Sequence, residues 1–271
     1  MTPIDTQTSR LHDTQQAFDS VAADYDGPRG NNASIQRMRD EMWAWLDRSF
    51  APESRLIDLG CGTGLDAVRM AGLGHHVTAT DWSPQMVERT RERAEREGCA
   101  ERVQALHVGA HELEKLDGLF DGAYSDLGPL NCVPDMPAVA AQCARLVRPG
   151  GMLVFTVINR WCPWEIWHYA RQGRWQRARV RFARDTVAVG MNQRTIWTQY
   201  FSAREFYKSF AADFTLEHRR GLCVFAPPPY LNVSDAWQQR LWKVDRLMAG
   251  WPGVRELGDH FLIVMKRRRG S

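Results

Sequence analysis

The chain has 271 residues, enough to bury a full core as one large domain or as one domain with a lid. Its composition is that of an ordinary globular protein, and a net charge of +3 is too weak to argue for a nucleic-acid partner. No apolar run approaches ~18 residues, which excludes a helical membrane span, and the six cysteines are scattered without a C-x-x-C pair, against a zinc site or a disulfide framework.

Residues 1–14 are polar and lack the apolar core of a signal peptide, so a reduced, cytoplasmic protein is expected. Residues 1–13 read as disordered, and 14–25 as a short helix with Ala17, Phe18 and Val21 on one face. Gly27-Pro28-Arg29-Gly30-Asn31-Asn32 is a turn-rich break. Ile35, Met38, Met42, Trp45/Leu46 and Phe50 then recur at helical spacing until Pro52. Strands at 55–59, 76–80, 102–108, 120–124 and 152–158 alternate with helices at 63–73, 83–98 and 135–147. Such alternation requires right-handed crossovers and predicts a parallel, doubly wound α/β sheet.

After residue 158 the rhythm changes. Residues 159–201 are crowded with tryptophan and arginine and end in a hairpin, 186–191 and 195–201, around Asn192-Gln193-Arg194. Ser202 caps a helix to Ala211. A strand-like run at 215–225, a break at Ala226-Pro227-Pro228-Pro229, a helix at 235–248 and a strand at 260–265 complete the chain before the basic Lys266-Arg267-Arg268-Arg269. The expected organisation is one structural domain. It comprises N-terminal helices with a cofactor-binding half core (1–158), an aromatic and arginine-rich lid insertion (159–201), and the rest of the core with a second insertion (202–271). That second insertion either completes a pocket or makes a homodimer contact.

Two stretches carry chemistry. In Asp58-Leu59-Gly60-Cys61-Gly62-Thr63-Gly64, glycine lets the chain turn sharply off a strand and lets a ligand approach the backbone. A dinucleotide turn would place its third glycine at 65, where this chain has Leu65, so the loop suits a nucleoside without pyrophosphate. In Thr80-Asp81-Trp82-Ser83-Pro84-Gln85-Met86, a carboxylate at a strand tip can hold both ribose hydroxyls beside a flat indole wall for adenine.

Together these stretches resemble the class I S-adenosylmethionine-dependent methyltransferases, most closely the ubiquinone-methylase-like group that acts on small molecules. The resemblance extends to Phe18…Ala23-Asp24-Tyr25-Asp26, whose tyrosine in that group closes over the methionine end of the cofactor, and to Leu146-Val147-Arg148-Pro149-Gly150-Gly151. It covers residues 18–158 and, loosely, the last strand. It implies a Rossmann-like, mostly parallel sheet of seven strands with a lid after the fifth. It also implies S-adenosyl-L-methionine as cofactor, bound by Tyr25, Asp58, Gly60, Cys61, Gly62, Asp81, Trp82, Met86, Ala110, His111 and Ser125, and methyl transfer to a small hydrophobic or aromatic acceptor at oxygen, nitrogen or carbon. Relatives often read Asp-Ala after the third strand. Here Gly109-Ala110-His111 lacks that acid, so His111 or a backbone group takes its place.

Asp126, in Ser125-Asp126-Leu127-Gly128, and His168, in the lid, are the candidate proton acceptors. Trp161, Trp164, Trp167 and Asn131 are the candidate acceptor-binding residues, and no metal site is expected. The lid arginines form a solvated face or hold an anionic group. Three alternatives stand beside methyl transfer: other chemistry with the same cofactor, a non-catalytic cofactor-binding protein, and a nucleic-acid methylase. The last would carry Asn/Asp-Pro-Pro-Tyr/Phe after the fourth strand, where this chain has Asp126-Leu127-Gly128-Pro129. The expected partner is a small acceptor, with neither nucleic acid nor stable membrane insertion.

Overall fold

Strands alternate with helices up to Ile158 in the computed structural model, which describes residues 3–28, 30–231 and 235–269. The first strands are β1 (Arg55–Leu59), β2 (His76–Asp81), β3 (Val103–His107), β4 (Phe120–Ser125) and β5 (Val147–Ile158). The hairpin is β6 (Val187–Met191) with β7 (Arg194–Thr198), and β8 (Phe214–Leu222) and β9 (His260–Arg267) follow. Seven strands form one sheet in the order β3-β2-β1-β4-β5-β9-β8, parallel from β3 to β5 and antiparallel at β9 and β8. The alternation predicts its parallel, doubly wound part, and the family resemblance implies the full seven-stranded, Rossmann-like sheet.

The helices are α1 (Pro3–Asp19), α2 (Ala33–Ser49), α3 (Leu65–Gly72), α4 (Pro84–Arg96), α5 (Met136–Leu146), α6 (Pro163–Ala170), α7 (Trp175–Ala178), α8 (Ala203–Phe210) and α9 (Asp235–Met248). Short-range chemistry sets several of their ends. Asn32 accepts from the amides of Ser34 and Ile35, and Ser83 accepts from Met86 with Pro84 in the first helical position. Ser202 and Glu205 form a reciprocal capping box at α8.

Both faces of the sheet are buried, so its central strands are nearly all apolar, and successive residues feed different layers. Ile57, Phe155, Phe261 and Ile263 pack with Val139 and Leu146 of α5 and Phe206 and Phe210 of α8. Leu56, Val154, Leu262 and Val264 pack with Met38, Met42 and Leu46 of α2, Ala67 and Met70 of α3, and Trp242 of α9.

The N-terminus departs from expectation. Residues 3–13 are helical, α1 stops at Asp19, and residues 20–28 are turns closed by i→i+3 bonds such as Asp24 N to the Val21 carbonyl. The first turns of α1 lack an apolar stripe, and long-range contacts order them instead. Trp197 Nε1 of β7 donates to Asp13 at 3.0 Å, and Gln15 Nε2 donates to the Trp82 carbonyl at 2.9 Å. Met1, Thr2 and Arg29 of the expected disorder and turn lie outside the described residues. The hairpin turns on two residues, Asn192 and Gln193, both left-handed (φ 47° and 61°), rather than three. The strands β5 and β9 run longer than expected. Arg267 therefore sits in β9, where it pairs with Asp213 at 2.9 Å.

Asn131 is a structural tie and not an acceptor contact. It is fully buried. Its Nδ2 donates to the carbonyls of Ile158 (3.0 Å) and Gln199 (2.7 Å), and its Oδ1 accepts from Ile158 N (2.8 Å). Asn131→Ala should therefore lower the unfolding free energy in urea by about 2–3 kcal/mol, because each buried group left unpaired costs about 1–3 kcal/mol.

Candidate active site

Parallel strands deliver their carboxyl ends to one edge of the sheet, and the loops after β1, β2 and β4 meet there. Gly60, Gly62 and Gly64 all have left-handed backbones (φ 79°, 55° and 81°). At Gly60 the need is also steric, since a Cβ would sit 2.3 Å from Pro129 Cβ. The amides of Gly60 and Cys61 both donate to the Thr80 carbonyl, at 2.8 and 2.9 Å, tying the turn to β2. Asp81 completes the tie: its Oδ2 accepts from Gly62 N at 2.9 Å and its Oδ1 from Ser83 N at 2.8 Å. Burial pushes the Asp81 carboxyl up to about 6, against these two amide bonds, which favour its charged form.

Gly60, Cys61, Gly62, Asp81 and Ser83 line a cavity of about 280 Å³ together with Tyr25, Trp82, Met86, Ala110 and His111. Trp82 is fixed from two sides, its Nε1 donating to the Leu11 carbonyl at 3.2 Å and its ring stacked on His107 at 5.4 Å. His111 meets that indole edge-on at 4.6 Å, and burial lowers its pKa. Burial pushes the Tyr25 phenol up to about 12, so it stays a neutral donor against the glycine turn.

Asp66, Arg39 and Phe18, which sequence reasoning missed or placed elsewhere, and Asp126 also line this cavity. Asp66, in the first turn of α3, accepts from Trp43 Nε1 at 2.6 Å and lies 3.3 Å from Arg39 Nε. The same Arg39 nitrogen lies 3.6 Å from Asp126 Oδ2. Phe18 extends α1 into the wall. Asp126 Oδ1 accepts from Thr156 Oγ1 at 2.6 Å and from Leu127 N at 3.0 Å. Burial, then the nearby Asp66, push Asp126 up to about 6, with Arg39 pulling the other way.

Two of the expected cofactor contacts lie behind this lining. Asp58 is 2% exposed, its Oδ2 has no hydrogen-bond partner, and burial followed by Asp66, Asp126 and Asp81 pushes it well above the usual carboxylate range. Ser125 is fully buried and donates to the Leu59 carbonyl at 2.7 Å, because β4 turns that side chain toward β1.

A second cavity of about 830 Å³ adjoins the first, and Tyr25, Leu127 and Ile158 line both. Its far wall comes from the segment inserted after β5. On α6, Glu165 and Tyr169 are one turn apart and face inward. Trp164, Trp167 and His168 occupy the other side of that helix and miss both cavities. Trp164 Nε1 donates to the Phe225 carbonyl at 3.0 Å, Trp167 is 55% exposed beneath Arg171, and His168 contacts Gln172 at 3.0 Å. Trp161 is 45% exposed and packs edge-on to Phe182. The cavity is instead walled by a buried ionic cluster. Arg181 Nη2 reaches Asp259 Oδ1 at 2.6 Å and Glu165 Oε2 at 2.7 Å, and Tyr230 donates to the same Glu165 oxygen. No local pattern distinguished Arg181 among its neighbouring arginines, and only the adjacent Asp259-His260 pair was visible as a possible signal.

Residues 56–151 match the family model described as a methyltransferase domain. The Ubiquinone biosynthesis O-methyltransferase of Xanthomonas oryzae pv. oryzae (strain PXO99A) is 36% identical over 155 residues, 54% of this chain and 62% of that protein. The chain thus matches less than two thirds of that curated relative's length. Among solved structures, the [4+2]-cyclase SpnF aligns with a TM-score of 0.64 at 17% identity, over 95% of this chain and 97% of that one. The N-methyltransferase NodS from Bradyrhizobium japonicum WM9, in complex with S-adenosyl-L-homocysteine, aligns with a TM-score of 0.58 at 15% identity, over 95% and 100%. At these identities the structural likeness establishes the fold.

Gly60→Ala should lower the unfolding free energy by roughly 1–3 kcal/mol through backbone strain and the clash with Pro129. Trp167→Ala, at an exposed position, should stay within about 0.5 kcal/mol of the wild type in the same urea titration.

Proposed function

We propose that this chain, which carries a methyltransferase domain of the S-adenosylmethionine-dependent class, binds S-adenosylmethionine in the smaller cavity and methylates a small acceptor taken up in the larger one. The observation that carries this reading is the wall shared by the two cavities, Tyr25, Leu127 and Ile158, where donor and acceptor would meet. The smaller cavity suits the cofactor. Asp66, Asp81 and Asp126 line it against one guanidinium, Arg39, and this excess of carboxylate favours a ligand with an ammonium and a sulfonium. Arg39 Nε stands between Asp66 and Asp126, at 3.3 and 3.6 Å, and offsets only part of that negative charge. Asp81 would hold the ribose hydroxyls, Trp82, Met86, Ala110 and His111 would enclose the adenine, and Gly60 to Gly62 would let the ligand approach the backbone.

When bound, the cofactor supplies an electrophilic methyl group. The protein's part is then chiefly proximity and alignment. The larger cavity, walled by Ile35, Met38, Tyr169, Val180, Val189 and Tyr200, favours an apolar or aromatic acceptor. The segment carrying α6 and α7 covers it as a lid. Asp126 is held by Thr156, by Leu127 N and by Arg39, which favours a role in setting the charge of the cofactor pocket.

Calorimetry with S-adenosylmethionine, S-adenosylhomocysteine and NADH tests the reading. Micromolar binding of the first two and none of the third is expected, and failure of both adenosyl ligands would overturn it. Asp81→Ala should weaken S-adenosylhomocysteine by roughly 1–3 kcal/mol, the cost of leaving buried polar groups unpaired. Ribose hydroxyls donate to the charged form of Asp81, which burial has raised to about 6. Affinity should therefore be full above about pH 6 and fall as pH drops through that value. A pH-independent affinity in the wild type would remove Asp81 from the ribose site.

A further inference from the structure

We infer that His260, oriented by Asp259, accepts the proton of an acidic hydroxyl, a phenol or an enol, bound in the larger cavity. This rests on the reading of that cavity as the acceptor site.

Placement comes first. His260 opens β9 opposite Ile158, the last residue of β5 and part of the wall shared by the two cavities. Its ring lines the larger cavity. Nδ1 lies 2.9 Å from Asp259 Oδ2, which fixes that nitrogen as the donor and leaves the lone pair on Nε2. Nε2 makes no hydrogen bond to any described residue and is not sealed from the cavity. A side chain held on one nitrogen and open on the other is the arrangement a general base requires.

The surrounding charges support the role. Asp259 Oδ1 is held by Arg181 Nη2, whose Nη1 also donates to the carbonyls of Asn159 (2.8 Å) and Asp259 (3.0 Å). Burial alone would raise the Asp259 carboxyl, but Arg181 and His260 hold it well below the usual range, so it remains an anion behind the imidazole. Glu165 is the second carboxylate on Arg181. Two carboxylates, Asp259 and Glu165, share the Arg181 guanidinium, and Arg177 of α7 lines the same cavity. His260 in turn acts on Asp126, since a positive charge on the imidazole lowers the Asp126 carboxyl against the effect of burial. Burial pushes Tyr200 up to about 12 and Tyr230 higher still, so both phenols remain neutral donors.

Chemistry then selects the acceptor. An imidazole matches a phenol or enol far better than an alkyl alcohol, since proton transfer is efficient when donor and acceptor pKa values are close. In the step, the acceptor's O–H proton goes to Nε2 and its electron pair stays on oxygen. That oxygen bonds the methyl group of the sulfonium donor, whose sulfur keeps the pair of the broken C–S bond. The products are a methyl ether, a thioether and an imidazolium balanced by Asp259, which later releases its proton to water.

The test uses the full chain saturated with S-adenosylhomocysteine and 4-nitrocatechol as probe, since its phenol and phenolate absorb at different wavelengths. In the wild type the bound probe should ionise at lower pH than the free probe. His260→Gln should bind S-adenosylhomocysteine and the probe within a few-fold of wild type, but ionise the probe about tenfold less readily or worse. Methyl transfer to the probe should fall by roughly 10²-fold. Asp259→Asn, a positioning change, should shift the ionisation in the same direction, and Asp259→Glu should restore part of it. Wild-type ionisation in His260→Gln would overturn the proposal, and loss of ionisation only in Asp126→Asn would transfer the role to Asp126. Absence of probe binding in the wild type would overturn the phenolic class. Absence of S-adenosylhomocysteine binding would instead overturn the cofactor reading, a separate failure.

Discussion

Carboxylates concentrated at one edge of the sheet, with a single guanidinium among them, are the constraint on which the rest of the site depends. Asp58, Asp81 and Asp126 sit at the ends of β1, β2 and β4, and Asp66 opens α3 beside them. Charges taken out of water repel one another and lose hydration, so burial raises Asp58, Asp81 and Asp126. Arg39, delivered by α2 from the opposite side of the cleft, offsets part of this by standing between Asp66 and Asp126. The remaining excess of negative charge would favour a cationic ligand. The local organisation of Asp81 and the glycine turn by backbone amides means that the loop is shaped before any ligand arrives.

A second ionic arrangement fastens the inserted segment to the sheet. Arg181 is almost fully buried and joins Glu165 of α6 to Asp259 beside β9, with two backbone carbonyls completing its partners. Removing one member of such a network leaves an uncompensated buried charge, so the segment is held in one position more firmly than its sparse apolar contacts would suggest. The same network presents Asp259 to His260. Anchoring of the inserted segment and organisation of the larger cavity are therefore one interaction.

Between the two cavities the backbone is strained. Leu127 is left-handed (φ 60°), a conformation that a bulky residue seldom adopts, and Gly128 follows with φ 89°. Leu127 N donates to Thr156 Oγ1 at 2.6 Å and Asp126 Oδ1 at 3.0 Å, and a Cβ on Gly128 would lie 2.7 Å from Ile158. These contacts over-determine the turn and place the Leu127 side chain in the wall shared by both cavities. Strain of this kind at a cavity wall is characteristic of sites where position matters more than stability.

What the sequence by itself determined rests on short-range physics. Strand and helix periods, the caps at Ser83 and Ser202, and the left-handed glycines are consequences of neighbouring residues, and they carried the sheet, the cofactor turn and the acid at Asp81. What only the tertiary structure decided depends on residues far apart in the chain. The apolar pattern of α6 drew attention to Trp164 and Trp167, yet which side of a helix faces a cavity is set by what packs on the other side, and Glu165 and Tyr169 face inward. The helix at the N-terminus is held by contacts to β7 and Trp82, the roles of Arg39 and Arg181 come from partners 16 to 87 residues away, and His260, held by its neighbour Asp259, takes its role from the cavity it lines. Ion pairs and cavities are made by convergence of distant segments, and one-dimensional spacing holds no record of that convergence.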